Sequence, residues 1–398
     1  MVERDTQGRL RIVIATRIYD PEPAAAALRL KALAEALASL GHDVEVLTTR
    51  TKGAPKRELR RFQRGSIRVK RMPVLRDGTG SVRGYIPYLS FDVPLFFRLL
   101  TCRRPSVVVN EPPPTTGCVT RLVCRTRGVP YVYFAGDIVS DAARSQRTPE
   151  LVVRTVAWME AFALRQARQV IAVSDGVAQR VQSLAGRSAQ VVPNGIDTSG
   201  GPISGDSPVP QGFPKTEGPV FLYAGTVAQW LAPEVFIEAF RKARGYIKGA
   251  KLVFLGQGSA WRSLEKMAAG DADIEFHDSV DAGTARLWCA HADVCLASIR
   301  QGAYDYAYPT KILTSLASGT PVIYAGPGQA RDDVRENCLG IAVDLNADEV
   351  AQAMIDMSRL SDEDPRRDSR RLHQWVERNR SVKVSSNLAA DVVLSAVQ

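Results

Sequence analysis

Two carboxylates follow β-branched runs in the first half of the chain, at positions where a parallel sheet would present its reactive edge. Asp137 lies in YFAGDIVSD (133–141), and Glu111 opens NEPPPTTG (110–117). A carboxylate there can orient a hydroxyl group and support positive charge that develops in a transition state. The same place suits an aspartate that caps the following helix, so both roles stay open for Asp137.

The second half carries residues suited to phosphate. Gly225 and Thr226 end an apolar run, and a glycine lets the backbone approach a diphosphate closely. Lys311 stands just before a predicted helix over 312–318, so its charge and the helix dipole can act on one phosphate. Arg300 is the second candidate cation. A solvated surface lysine is the alternative reading of Lys311.

The hydrophobic pattern predicts the strands and helices that position these residues. Short runs rich in β-branched residues alternate with longer helical patterns, which is typical of parallel βαβ units. The runs are RIVIA (11–15), VEVLT (44–48), SVVVN (106–110), YVYFA (131–135), QVIAVS (169–174), VFLYAG (220–225), KLVFLG (251–256), IEFHD (274–278), DVCLAS (293–298) and PVIYAG (321–326). We therefore predict an α/β protein with two doubly wound, Rossmann-like domains facing across a cleft.

The predicted domains divide the chain near its middle. A Gly-, Pro- and Ser-rich segment without periodicity, 199–219, follows the first set of strands and indicates a flexible connection. We assign the first domain to 1–190, joined by a C-terminal helix at about 384–398, and the second domain to 191–383.

Composition and charge narrow the function classes. The 398 residues are 45% hydrophobic and 24% charged, which excludes a disordered tail or a coiled coil. Residues 1–195 hold 31 basic and 16 acidic side chains, whereas 196–398 hold 21 and 26. Ten basic residues cluster at 50–71 without interleaved aromatics, so we expect no nucleic-acid platform. An acidic substrate or an anionic membrane fits this excess better.

Cysteine spacing and the N-terminal sequence point to a cytoplasmic protein. The six cysteines form no close Cys-x-x-Cys pair, so neither a zinc site nor a disulfide framework is expected. The start mixes charges into a short apolar run and does not look like a signal peptide. The most apolar stretch, 85–100, is interrupted by two prolines and an aspartate. It is expected to pack on the core or, alternatively, to face a membrane as an amphipathic element.

Four segments, taken in order, resemble the family 4 glycosyltransferases: 21–48, 170–197, 223–259 and 308–326. The last reads YPTKILTSLASGTPVIYAG, similar to the family's Pro-Ser-Lys and Glu-Tyr-Leu-Ala-x-Gly-x-Pro-Val. The resemblance implies the GT-B fold and metal-independent, retaining transfer of a hexose or N-acetylhexosamine. It also implies a nucleotide-sugar donor, most plausibly a UDP-sugar, and no further cofactor. The nearest branch contains bacterial amino-sugar transferases, and Arg- and Ala-rich usage fits a natural-product or polysaccharide pathway.

The resemblance implies that the first domain, 1–190 with the C-terminal helix, binds the acceptor and that the second, 191–383, binds the donor. The basic excess of the first domain then favours an acidic, carrier-bound or lipid-linked acceptor. The resemblance also implies which residues hold the donor. They are Gly225, Thr226, Gln229, Gly256, Gly258, Val280, Arg300, Tyr308, Thr310, Lys311 and Thr314. The segment 256–261 lacks the third glycine of a dinucleotide fingerprint, so a nicotinamide cofactor is not expected. The segment 276–280 lies where the family reads the nucleobase.

The sequence departs from its family at several positions. The Arg and Lys that usually hold the phosphates align with Thr226 and Leu231, and the paired glutamates align with Tyr306 and Thr314. Thr314 can still bond a ribose hydroxyl, and Asp305 is an alternative ligand. Gly136 replaces the basic residue expected before Asp137.

These departures keep two other functions open. One is a nucleotide-sugar 2-epimerase of the same fold, and the other is a non-catalytic, sugar-nucleotide-binding partner subunit. Two acidic motifs, DAD (271–273) and DED (362–364), lie in polar turns, so we expect no metal site there.

Overall fold

The computed structural model describes residues 8–22, 24–77, 82, 84–145, 148–203, 207–302 and 306–398. It divides into two compact units. Unit 1 comprises Met1–Gly195 and Val382–Gln398, and unit 2 comprises Ile196–Ser381. Within unit 2, the amide of Ile196 donates to the carbonyl of Arg380 at 2.9 Å, so the two ends of this unit are tied together.

The strands are β1 (Arg11–Ala15), β2 (Asp43–Thr49), β3 (Arg57–Arg61), β4 (Ser66–Met72), β5 (Val107–Asn110), β6 (Tyr131–Ala135), β7 (Gln169–Ala172), β8 (Gln190–Val191), β9 (Val220–Thr226), β10 (Lys251–Gln257), β11 (Ile274–Asp278), β12 (Val294–Ser298), β13 (Val322–Ala325) and β14 (Gly340–Val343). The helices are α1 (Ala25–Ser39), α2 (Tyr85–Thr101), α3 (Pro114–Arg127), α4 (Val139–Ser145), α5 (Glu150–Arg165), α6 (Asp175–Ala185), α7 (Glu234–Ala243), α8 (Trp261–Ala268), α9 (Ala282–His291), α10 (Thr310–Ala317), α11 (Gln329–Glu336), α12 (Ala347–Ser358), α13 (Ser369–Arg380) and α14 (Val382–Ser395).

Unit 1 is built on an eight-stranded sheet of order β3-β4-β2-β1-β5-β6-β7-β8. Its pairings are parallel except β3 with β4, which form an antiparallel hairpin within the basic segment 50–71. The central strands are buried on both faces and rich in Val and Ile, as a sheet covered by helices on both sides requires. Helices α1 and α14 pack on one face, and α2, α3 and α5 lie side by side on the other.

Unit 2 is built on a six-stranded sheet of order β11-β10-β9-β12-β13-β14, with all pairings parallel. One core lies under α7, α8 and α12, and a second lies under α9, α10, α11 and α13. Parallel strands end at one edge of a sheet, so the ends of β9, β10 and β12 and the start of α10 come together. The α/β class with two parallel sheets is confirmed. No described helix combines the length and the apolar character needed to span a bilayer.

Candidate functional site

Glycines allow β9 and β10 to end with their backbones in close contact. Gly256 is paired in register with Gly225, and a Cβ at Gly256 would lie 2.2 Å from the Gly225 carbonyl oxygen. A Cβ at Gly258 would lie 2.0 Å from the carbonyl oxygen of Val227. Both positions therefore require glycine. The close packing leaves Gly225 and Thr226 exposed at the edge of the sheet, with backbone accessible to a ligand.

Lys311 lies beside this strand end. Its Nζ is 3.5 Å from the centroid of the Tyr223 ring and 3.3 Å from the carbonyl oxygen of Thr226. Burial lowers the pKa of Lys311 to about 7. Among the described residues, no carboxylate forms an ion pair with this lysine. An ammonium held by a ring face and a carbonyl, without a counter-ion, is suited to an anionic ligand.

The structure corrects the position of Lys311 relative to its helix. The sequence places it before a helix over 312–318, but α10 begins at Thr310, so Lys311 is in the first turn. Pro309 precedes the helix and provides no side-chain cap, and the first turn holds no acidic residue. The positive end of the helix dipole and the lysine therefore point to the same region.

The other candidate cation is already paired. Arg300 forms an ion pair with Glu234, and its Nε donates to the carbonyl oxygen of Gln229 at 3.3 Å. Glu234 lies in the first turn of α7, where its carboxylate offsets the positive end of that helix. The start of α10 is consequently the better anion site, and Arg300 fixes the exposed turn that contains Gln229.

The remaining predicted donor residues are spread over this edge and its surroundings. Thr310 is exposed, and Thr314 lies one turn later and donates to its carbonyl oxygen at 3.3 Å. Val280 is exposed in the turn before α9. Tyr308 packs its ring under the Arg380 guanidinium, 4.7 Å away, which gives it a structural contact within unit 2. Asp305, the alternative ribose ligand, lies outside the described residues.

In unit 1, Glu111 is a buried carboxylate held by two donors. It follows β5, and Thr16 Oγ1 donates to its Oε1 at 2.9 Å. The Arg29 guanidinium, from α1, lies 3.2 Å from Oε2. Arg29 also donates to Asn194 Oδ1 at 2.9 Å and lies over the ring of Phe134. The ion pair keeps the charge of Glu111 compensated in a buried setting.

Asp137 follows β6 and does not cap α4. Among the residues that the structure describes, its Oδ1 accepts from the next amide, that of Ile138, at 2.7 Å. The amides of Val139 and Ser140, which begin α4, donate instead to the carboxylate of Glu160 from α5, at 2.7 and 3.0 Å. Because Glu160 does the capping, the Asp137 carboxylate is left for a ligand. Burial is the main cause that raises the pKa of Asp137 to about 6.

Arg29 also explains the glycine before Asp137. A Cβ at Gly136 would lie 2.4 Å from Arg29 Nη2, so the guanidinium occupies the space that a side chain at 136 would fill. The arginine is close enough to lower the pKa of Asp137 against the effect of burial. A cation from α1 thus occupies the place of the expected basic residue, where it pairs with Glu111 and acts on Asp137 through its charge.

Two further groups near the strand ends escaped the sequence analysis. The Arg17 guanidinium, beyond β1, lies 4.1 Å from the ring centroid of Tyr88 on α2. Asp92, also on α2 and buried, accepts a hydrogen bond of 2.6 Å from Thr116 Oγ1. Arg17 is close enough to favour the charged form of Asp92, whose pKa is raised by burial. Both lie in elements that carry no motif, so only the tertiary structure reveals them.

The two acidic motifs have basic partners. Asp271 pairs with Arg244 at 2.7 Å and with Arg241 at 3.3 Å. Asp364 pairs with Arg366 at 2.7 Å and accepts from its backbone amide at 2.9 Å. Within the part of the chain that the structure describes, no group of three or more His, Cys, Asp or Glu residues is arranged to hold a metal ion.

Comparison with protein families covers both units. Residues 26–199 match the family model described as Glycosyltransferase Family 4, and residues 218–359 match Glycosyl transferases group 1. Both units match glycosyltransferase domain families. These domains indicate a transferase, and the second match contains the glycine-rich strand ends and Lys311. No curated protein matches the chain.

Solved glycosyltransferase structures have the same fold. Sucrose-phosphate synthase from Thermosynechococcus elongatus is similar at a TM-score of 0.72 and 16% identity, covering 97% of this chain and 99% of that one. Anabaena HepE in complex with UDP-glucose is similar at 0.66 and 15%, covering 97% and 100%. A glycosyltransferase from Rickettsia africae is similar at 0.69 and 13%, covering 98% and 99%. The chain therefore has the GT-B fold of two Rossmann-like domains.

Proposed function

We propose that this protein transfers a hexose or an N-acetylhexosamine from a UDP-sugar to a hydroxyl acceptor, with retention of anomeric configuration and without a metal ion. The observation that carries the proposal is Lys311, an ammonium without a carboxylate partner at an uncapped helix start, beside a strand end that only glycine can form. The similar Anabaena protein binds UDP-glucose, which supports UDP as the nucleotide.

Unit 2 holds the leaving group in this proposal. Gly225 and Thr226 expose backbone to the diphosphate, and Lys311 and the start of α10 stabilise the charge that grows as the anomeric C–O bond breaks. Gly256, Gly258 and Gln229 shape the adjoining edge, and Thr310 and Thr314 offer hydroxyls to the donor. In this proposal Lys311 and the start of α10 take the place of a metal ion at the departing diphosphate.

Unit 1 holds the acceptor. Asp137, free of any capping role, orients the acceptor hydroxyl and supports the oxocarbenium charge, and Glu111 accepts from a second hydroxyl. Arg29 holds Glu111 directly and lies close enough to Asp137 to favour its charged form. The acceptor oxygen bonds to the anomeric carbon on the face that the diphosphate leaves, and its proton passes to the departing phosphate oxygen. The acceptor is a small molecule, a carrier-bound group or a lipid-linked sugar of a bacterial biosynthetic pathway.

The experiment is a UDP-release assay with a panel of UDP-sugars and acceptors, run with and without EDTA. We expect acceptor-dependent release that EDTA leaves unchanged, and a product with the donor's anomeric configuration. Loss of activity in EDTA, restored by a divalent metal, would contradict the metal-independent mechanism. The comparison variant is Asp137→Asn, which should still bind UDP but should liberate little UDP from the UDP-sugar.

The same assay separates the two other functions. An epimerase would convert the UDP-sugar to its 2-epimer with no acceptor present, which product analysis detects directly. A non-catalytic subunit would bind UDP but would liberate no UDP from any UDP-sugar, whether or not an acceptor is present. Either result would overturn the transferase proposal while leaving the donor site in place.

A further inference from the structure

We propose that the outer surface of α2, with the helices beside it, docks unit 1 onto an anionic lipid bilayer. Five apolar side chains on α2 are 41–68% exposed. They are Ile86, Leu89, Val93, Phe97 and Leu100. Their spacing of three or four residues places them on one face of the helix, which we call the α2 stripe. Phe91, Leu95 and Leu99 are buried on the opposite side.

The apolar surface continues onto neighbouring helices. Helix α3 packs beside α2, and α5 packs beside α3. Leu122 on α3 is 48% exposed, and Leu151 and Trp158 on α5 are 78% and 61% exposed. Exposed apolar side chains scattered singly need no explanation, but a stripe that extends over adjacent helices marks an interaction surface.

The charges around the stripe identify the partner as anionic. Helices α2 and α3 contain a single acidic residue, Asp92, and it is buried. Exposed arginines follow α2 and line the outer sides of α3 and α5. They are Arg103, Arg104, Arg125 and Arg165, and a fifth, Arg154, pairs with the exposed Glu150 at the start of α5 at 3.3 Å. Aliphatic and aromatic side chains among arginines, with little acidic charge, are what an anionic lipid surface binds.

Helix α2 carries the α2 stripe and also contacts Arg17, whose neighbour Thr16 binds Glu111 of the proposed acceptor site. Tyr88 and Asp92 of α2 contact Arg17 and Thr116, while the α2 stripe points outward. A helix with its side chains is about 10 Å thick. Docking would therefore bring the acceptor residues of unit 1 close to the headgroups, where a lipid-linked acceptor would lie. The bilayer proposal itself does not rest on the proposed transferase activity.

The test is co-sedimentation of the full chain with vesicles of phosphatidylcholine, with or without about 30% phosphatidylglycerol. We expect binding to the anionic vesicles that high salt weakens, and little binding to pure phosphatidylcholine. The double variant V93E/F97E should lower the partition coefficient at least about tenfold. The matched control is Leu28→Glu on α1, an exposed leucine of the same unit on the opposite face of the sheet, which should bind as the parent does.

Three outcomes would overturn the proposal. The first is no binding to anionic vesicles at low salt. The second is equal binding by V93E/F97E and the parent, with circular dichroism showing both folded. The third is a dimer in solution that V93E/F97E converts to a monomer, without vesicle binding, which would assign the stripe to a second copy of the chain. A blue shift of fluorescence on vesicle binding that Trp158→Phe removes would support the proposal directly.

Discussion

The strand ends of the two units differ in charge, and in each unit the charge at the strand ends is opposite in sign to the net charge of that half of the chain. The first half of the chain carries 31 basic and 16 acidic residues, yet the edge of its sheet gathers Asp92, Glu111 and Asp137 around two arginines. The second half carries 21 basic and 26 acidic residues, yet its edge presents Lys311 without a carboxylate partner among the described residues.

The difference shows that the net charge of a domain does not predict the local charge at its ligand site. The net charge of a domain describes its outer surface, and in unit 1 ten of the basic residues lie at 50–71 and further arginines lie around the α2 stripe. The local charge at the strand ends describes the ligand. Carboxylates suit hydroxyl groups, and an unpaired ammonium at a helix start suits a diphosphate. The comparison therefore predicts that variants in the two units affect different steps.

The largest effect should come from Asp137→Asn in unit 1. We expect kcat to fall by about 10²- to 10⁴-fold, because the amide cannot support the developing positive charge. The dissociation constant of UDP should not change. UDP release measures kcat, and calorimetry measures the dissociation constant. The control is Glu150→Gln, at an exposed residue of the same unit. A variant with near-parental kcat would remove Asp137 from the site.

The affinity for the donor nucleotide should depend on pH through the protonation of Lys311 in unit 2. The pKa of Lys311 is about 7 in the free protein, and a bound diphosphate must raise it. Above pH 7 binding therefore takes up a proton, and the dissociation constant of UDP should increase about tenfold per pH unit. Calorimetry in buffers of different ionisation enthalpy measures the uptake. Lys311→Arg, which stays charged, should flatten the dependence, and a parental slope in that variant would contradict this role.

Turnover should depend on pH through unit 1. Burial raises the pKa of Asp137 to about 6, and the ionised carboxylate is the active form. Below pH 6 kcat/KM for the acceptor should therefore fall, approaching about tenfold per pH unit. A pH–rate profile at saturating donor tests this. An acidic limb that shifts in Lys311→Arg would mean that the two units do not titrate separately.

The smallest effect should come from Gly136→Ala. The added Cβ would displace Arg29 and weaken its pair with Glu111, at a cost of about 1–3 kcal/mol in unfolding free energy. Denaturant unfolding measures it, and kcat should fall modestly as the carboxylates lose their shared cation. Gly245→Ala, beside which nothing lies within 4 Å, is the control. Equal stability of the two variants would contradict the assigned place of Arg29.

Most strands were predictable from the sequence, and the β3–β4 hairpin was not. The patterns of 11–15 and 274–278 coincide with β1 and β11 because these segments are short and bounded by turns. The β3–β4 hairpin escaped prediction because its alternation is masked by charge. Ile67, Val69 and Arg71 are buried, whereas the alternating positions between them, Arg68 and Lys70, are exposed or half-buried. Burial of a charged residue such as Arg71 is not predicted by a hydrophobic pattern.

The candidate site was predictable where it lies at strand ends. Gly225, Glu111 and Asp137 follow apolar runs, so topology alone places them at an edge. Arg29 lies in the middle of a helix and reads as a surface residue, and Glu160 caps a helix other than its own. Their roles depend on how helices are placed on the sheet, which no local pattern encodes.

The central claim is that unit 2 holds a nucleoside diphosphate through Lys311, and calorimetric titration with UDP at pH 7 tests it directly. We predict one UDP site in the parent and in Asp137→Asn, and a loss of about 1.5–3 kcal/mol of binding free energy in Lys311→Ala, as for a charge-assisted hydrogen bond. Lys266→Ala, an exposed lysine of the same unit, should bind as the parent does. Absence of UDP binding in the parent, or equal affinity in Lys311→Ala, would contradict the account.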